Sequence, residues 1–119
     1  MKVAIYARTA SREGSPSSSI IQQLERLRTH AAAQGWELPE ENIFVDDGYS
    51  GNTLDRPGLR QLRARVEAGE LDSIWLTDMH RLTRSLIDVT LLLEELQSTG
   101  CQLGFLDEPS DWPLAGLLL

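Results

Sequence analysis

The chain has 119 residues, of which 41% are hydrophobic and 24% charged, the composition of one globular domain and not of a disordered or membrane-embedded chain. A domain of this size buries roughly two-thirds of the surface that its unfolded chain exposes and needs no disulfide or metal staple; a single cysteine, Cys101, offers no internal bridge. The net charge of −7 argues against wrapping nucleic acid by overall electrostatics. No apolar run reaches the roughly 18 residues that cross a bilayer, and no signal-peptide core follows Met1-Lys2, so a cytoplasmic location without membrane contact is expected.

Val3-Ala4-Ile5-Tyr6-Ala7 is an unbroken apolar run, the pattern of a strand buried on both faces. The Ser/Gly/Pro-rich stretch 9–19 reads as a loop. Ile20, Ile21, Leu24, Leu27 and Ala31 recur at helical spacing, with Ser18 or Ser19 placed to cap the start and Gly35 to end it. A second strand is predicted over 42–45 and a second helix from Pro57 through Leu59, Leu62 and Val66 to Gly69. A strand over 73–77, a helix over 86–97 stopped by Gly100, and a strand over 102–106 complete the alternation. Strands alternating with helices imply right-handed crossovers, hence an α/β domain of three layers, α/β/α, around a mainly parallel sheet. The domain is expected over residues 1–108. Asp111-Trp112-Pro113 followed by Leu114, Leu117 and Leu118 reads as the start of a truncated helix over 109–119.

Function in such a sheet collects in the loops at the carboxyl ends of the strands. Those loops hold Arg8 after the first strand, Asp47 to Gly51 and Asp55-Arg56-Pro57 after the second, and Asp78-Met79-His80-Arg81-Leu82-Thr83-Arg84 after the third. Arg81 and Arg84 are three apart, so a helical turn would present both on one face. Arg8, Arg56, Arg81 and Arg84 thus converge on one rim. Like charges gathered there make sense when an anion completes the set, and phosphate suits guanidinium forks best. Taken singly, each arginine has a plainer explanation: Arg56 pairs with Asp55 and Arg81 with Asp78. Ten of the eleven basic residues being arginine is equally the mark of a GC-rich genome. As a metal site the rim is poor, because Asp46, Asp47 and His80 form no spaced triad and the two aspartates read as surface carboxylates.

The ordered set Tyr6-Ala7-Arg8, a serine-rich loop, Ser19-Ile20-Ile21-Gln22-Gln23-Leu24, Asp47…Ser50-Gly51, Asp55-Arg56-Pro57-Gly58-Leu59 and Arg81-Leu82-Thr83-Arg84 resembles the catalytic domain of the serine recombinases, the resolvase/invertase family, over residues 2–108. The resemblance implies site-specific DNA strand exchange of the kind used in resolution, inversion, integration or transposition. A serine attacks the DNA phosphodiester and leaves a 5′-phosphoserine link, arginines and no metal stabilise the transition state, and no cofactor is implied. Carried over by motif, Arg8, Arg56, Arg81 and Arg84 match the family's active-site arginines and Gln23 its glutamine. DNA is the implied partner, with a homodimer or tetramer in the full-length form and the main DNA-binding region outside this chain.

Two positions depart from the pattern. Ala10 stands where the family has its nucleophilic serine, which leaves Ser11, with Ser15, Ser17 and Ser18, as candidates; His80 stands where the family has an aspartate. A histidine there can move protons near neutral pH but adds no negative charge. The second reading is therefore a catalytically silent recombinase-like domain acting in oligomerisation or regulation. A third, a receiver-like domain with Asp46 and Asp47 as its acidic pocket, wants a lysine across that pocket, and the chain's one lysine is Lys2. Elsewhere, Trp36, Trp75 and Trp112 lie too far apart for a base-stacking platform and read as core or interface; Arg56, Arg60 and Arg63 read as one helix face, either flanking a phosphate backbone or solvated and paired with Glu67; Cys101 reads as an inert buried thiol.

Overall fold

The computed structural model describes residues 1–10 and 18–107, with Ser18 described by its backbone alone. Chain order gives strand β1 (Val3–Thr9), helix α1 (Ser18–Gln34), a 3₁₀ turn (Glu40–Asn42), β2 (Ile43–Asp47), α2 (Pro57–Glu67), β3 (Ser73–Leu76), the single-turn α3 (Met79–Leu82), α4 (Leu86–Thr99) and β4 (Gln102–Phe105). All four strands are parallel, in the order β2-β1-β3-β4. The predicted α/β fold is what forms, and the sheet is wholly parallel among the described residues.

Every residue of β1 is buried, as a central strand covered on both faces requires. Alternation sends Ala4 and Tyr6 to one face, where they join Phe44, Leu59, Leu62, Val66, Ile74, Leu92 and Leu96 in the main core under α2 and α4. Val3, Ile5 and Ala7 fall to the other face, which α1 covers with buried Ile20, Leu27 and Ala31. Gly100 ends α4 at φ 77°, and Ser85 starts it by accepting from the Asp88 backbone N–H at 3.3 Å.

Several sequence expectations need correcting. Asn42 belongs to the 3₁₀ turn, not to β2, and its buried Nδ2 donates to Val3 O at 3.0 Å. The Ser19 hydroxyl accepts from Gln23 Nε2 at 3.2 Å, within the helix and not as its cap. Trp36 and Trp75 are neighbours, with ring centroids 5.6 Å apart and His30 beside them at 5.5 and 4.8 Å; both are half-buried packing residues. Trp75 lies flat over Gly104, where a Cβ would meet its ring at 2.7 Å. Arg56 lies outside the helix face of Arg60 and Arg63; Arg60 takes Asp55, and Arg63 grips Glu95 of α4 with two hydrogen bonds in place of Glu67. Cys101 is buried, and burial pushes its thiol up to about 11. The expected helix at 109–119 and the boundary at 108 lie outside the described residues.

Candidate active site

The strand order reverses at β1: the chain steps from β1 to β2 on one side, then returns to place β3 and β4 on the other. Ligands bind such sheets at the crevice beyond the carboxyl ends of the strands flanking that reversal. Arg8 stands at the end of β1, and residues 77–85 follow β3 directly across the crevice. Topology alone therefore places the arginine-bearing loops together.

Arg8 is 2% exposed, and each guanidinium nitrogen has a backbone acceptor. Its Nε donates to Arg81 O at 2.9 Å, Nη1 to Tyr49 O at 2.8 Å, and Nη2 to His80 O. Its main chain is fixed as well. β1 pairs with β3 only as far as Ile5, so the strand edge beyond lacks a neighbour there. The Gln23 carboxamide fills that place, accepting from Arg8 N at 3.1 Å and donating to Arg8 O at 3.0 Å. Gln23, 4% exposed, thus ties α1 to the end of β1.

Arg56 is fully buried. Its Nη2 donates to Leu82 O and its guanidinium lies 5.7 Å from the Tyr6 ring centroid, while Nε and Nη1 have no hydrogen-bond partner. The expected pair with Asp55 does not form. Arg81 is partly exposed, donates to Arg8 O at 3.2 Å and lies 3.6 Å from Asp78, so the expected Arg81–Asp78 pair does form. Arg84 is exposed and has no ion pair among the described residues. It does not share a helical face with Arg81, because α3 ends at Leu82 and Thr83 is extended at φ −166°. It reaches the rim because its backbone N–H donates to Gly51 O at 3.1 Å, and a Cβ on Gly51 would lie 2.6 Å from Arg8 Nη2 and 3.3 Å from Arg84 Cγ. Burial lowers the Arg8 pKa, and the charges of Arg56, Arg81 and Arg84 lower it further. Arg8 is thus the member of the set that feels the charge of each of the other three.

His80 is exposed; its carbonyl, not its ring, meets Arg8. Ala10 is exposed at the end of β1. Ser11, Ser15 and Ser17, and the side chain of Ser18, lie outside the described residues.

The residue that sequence reading misplaced is Asp46, which is 1% exposed and no surface carboxylate. Its Oδ1 accepts from Gly58 N at 2.7 Å, and its Oδ2 accepts from Leu59 N at 2.9 Å and Tyr6 Oη at 2.6 Å. A carboxylate at the first turn of α2 satisfies N–H groups that the helix cannot and meets the positive end of its dipole. With both oxygens engaged, it does not head an acidic pocket, and Lys2 lies at the far end of the sheet, its N–H donating to Asp72. Gly58 is glycine because a Cβ would lie 2.8 Å from Val45 O and 3.0 Å from both Asp46 oxygens. Burial and the Asp46 hydrogen bond raise the Tyr6 pKa, so the phenol stays neutral. Among the described residues no three His, Cys, Asp or Glu side chains gather in a way that could hold a metal ion.

A family model for the resolvase N-terminal domain matches residues 3–116. The chain belongs to the resolvase family. This resolvase-type domain is 37% identical over 75 residues to a resolvase/recombinase of Pseudomonas putida, covering 60% of the chain and 40% of that protein. It is 29% identical over 85 residues to the serine recombinase PinR of Escherichia coli K12, covering 70% of the chain and 42% of that protein. The chain therefore spans well under half the length of these relatives. Among solved structures, the N-terminal catalytic domain of TP901-1 integrase superimposes with a TM-score of 0.80 at 29% identity, covering 90% of the chain and 79% of that domain. A resolvase family site-specific recombinase from Streptococcus pneumoniae, 18% identical, shares the fold with a TM-score of 0.79 over 99% of the chain and 81% of its own.

Proposed function

We propose that the chain is the catalytic domain of a site-specific DNA recombinase that breaks and rejoins strands through a 5′-phosphoserine link. The observation that carries this reading is the gathering of arginines from three separate loops at the switch point of the sheet: Arg8 and Arg81 are hydrogen-bonded to each other's carbonyls, Arg56 holds Leu82 O of the same segment, and Arg8 and Arg84 both lie against Gly51. Fixed guanidiniums can stabilise charge developing on phosphoryl oxygens. Ser11 Oγ gives up its proton as it attacks phosphorus, the bond from phosphorus to the 3′ oxygen breaks, and that oxygen takes up a proton and leaves as a hydroxyl; His80, an exposed side chain of the loop after β3, is the group suited to take the proton from one oxygen and return it to the other. Gln23 holds Arg8 in place. Removing the half-buried Arg81 or the exposed Arg84 is expected to cost about two orders of magnitude in rate.

DNA is the partner, met through its scissile phosphates, with affinity supplied by other parts of a longer protein. Self-association fits the exposed apolar ridge at the start of α4, where Leu86, Ile87 and Leu91 are 62%, 81% and 44% exposed.

The test is a covalent adduct on nicked target DNA, made by a longer version of the chain carrying a DNA-reading module, with the attached residue located by peptide mapping. Attachment at Ser11, abolished by Ser11→Ala, is the expected result; cleavage that survives Ser11→Ala removes Ser11 from the mechanism. A silent domain is favoured by Ala10 at the nucleophile position. An adduct that forms only after Ala10→Ser selects that second reading.

A further inference from the structure

This inference rests on reading the rim as a phosphate site. α3 is a single turn, and the carbonyls of His80, Arg81 and Leu82 at its end have no helical N–H to accept from. All three accept from buried guanidiniums: Arg81 O from Arg8 Nε at 2.9 Å, His80 O from Arg8 Nη2, and Leu82 O from Arg56 Nη2. Tyr49 O takes the remaining Arg8 nitrogen at 2.8 Å. The Arg8 fork is thus gripped by neutral oxygens and shut away from solvent.

We propose that the 80–82 segment is an autoinhibitory latch, whose carbonyls stand where phosphate oxygens would sit, and that a phosphate group engages Arg8 by displacing them. Three observations support displacement over permanent closure. Arg56 keeps Nε and Nη1 buried without partners, an unfavourable arrangement that an incoming anion relieves. The carbonyls facing two cations are uncharged, and an ionised acceptor makes the stronger hydrogen bond to a guanidinium. The exposed Arg84 gives an anion a first contact without any opening.

The latch closes on the 49–51 loop through few bonds. Thr83 Oγ1 lies 3.3 Å from Gly51 O and 3.4 Å from Asp88 Oδ2, with one proton to give, and accepts from Ser85 N at 3.1 Å, while Arg84 N donates to the same Gly51 carbonyl at 3.1 Å. Thr83→Val removes the hydroxyl while keeping the branched shape, and Thr83→Ser restores it.

The 119-residue chain is treated with phenylglyoxal, which modifies accessible guanidiniums, and modification is followed residue by residue by mass spectrometry. Arg84 is expected to react fast and Arg8 slowly; Thr83→Val speeds Arg8 by about fivefold, the effect of roughly one lost hydrogen bond, and Thr83→Ser behaves as the parent. Amide exchange with and without inorganic phosphate supplies an arm that needs no variant: phosphate protects Arg84 from modification and speeds exchange at Arg81, Thr83 and Arg84. Arg8 reacting as fast as Arg84 in the parent chain overturns the latch. So does phosphate that leaves exchange of those amides unchanged or slows it. Neither readout involves DNA cleavage, so failure of the adduct experiment leaves the latch standing, and failure of the latch leaves the adduct experiment decisive for the recombinase reading.

Discussion

Asp46→Ala is the substitution whose effect can be worked most fully from the structure. It strips two first-turn N–H groups of α2, on Gly58 and Leu59, of their acceptor and leaves the Tyr6 hydroxyl buried without a partner. Loss of a helix cap costs about 1 kcal/mol, and an orphaned buried donor adds roughly 1–3 kcal/mol. Together the change is expected to remove about 3 kcal/mol from a domain whose whole stability is on the order of 5–15 kcal/mol. Asp46→Asn keeps one acceptor and should cost roughly half as much. Tyr6→Phe removes the donor and leaves Asp46 its two backbone partners, so about 1 kcal/mol is expected. Because Tyr6→Phe and Asp46→Ala destroy the same 2.6 Å bond, their double variant should cost less than the sum, by about 1 kcal/mol. Urea unfolding followed by far-ultraviolet circular dichroism measures each value, with an unchanged denaturant slope as the control. An Asp46→Ala loss below about 1 kcal/mol, or strict additivity in the cycle, would refute the idea that this carboxylate anchors α2 to β1.

Gly51→Ala should destabilise by about 1–3 kcal/mol, because its methyl would stand 2.6 Å from Arg8 Nη2; normal stability with unchanged Arg8 reactivity toward phenylglyoxal sinks the close approach. Gln23→Leu leaves Arg8 N without its acceptor and Arg8 O with Arg81 Nη1 alone, and should cost about 1–3 kcal/mol in urea unfolding. Gln23→Glu, a carboxylate facing Arg8 O, should gain stability as the pH falls through the glutamate range, since only the neutral carboxyl can donate to that carbonyl. Cys101 ionises less readily folded than unfolded, its thiol standing at about 11 against an ordinary 9.0. The folded state therefore binds the proton more tightly, and stability attached to that proton is lost as the pH rises from 9 toward 11. Comparing thermal midpoints of the parent and Cys101→Ala at pH 8 and pH 10.5 checks this: both lose ground as buried Tyr6 resists ionisation, the parent should lose more, and equal slopes remove Cys101 as the cause.

What the chain declares locally, it declares well. The five-residue apolar run opening at Val3, the glycines after α1 and α4, and Pro57 at a helix start each depend on nearest neighbours along the chain. Most of the misplacements depend on distant partners, Ser19, which accepts from Gln23 one turn along its own helix, being a local one. Tyr6 and Asp46 are 40 positions apart, and only the parallel register that sets Arg8 beside Asp46 brings them together. A hint was present: α2 begins after Arg56, which offers no capping side chain, so its first N–H groups had to find an acceptor elsewhere. The two tryptophans likewise meet because a helix end and a neighbouring strand pack against each other, a relation no spacing rule contains.

The arginines show the same boundary between composition and arrangement. Sequence order places all four at one rim, and the fold agrees; their division of labour is invisible without coordinates. Arg8 and Arg56 are buried and bound to carbonyls of the chain itself, Arg81 is half-buried between the Arg8 carbonyl and Asp78, and Arg84 alone of the four is exposed. Spacing suggested that Arg81 and Arg84 share a helical turn, yet α3 stops between them and Arg84 arrives by way of Gly51. A net charge of −7 is therefore compatible with a local gathering of arginines, since the field of distant charges is screened within about 8 Å at physiological salt. Guanidiniums held from three loops act at hydrogen-bond range, well inside that distance, and their arrangement outweighs the sign of the whole molecule.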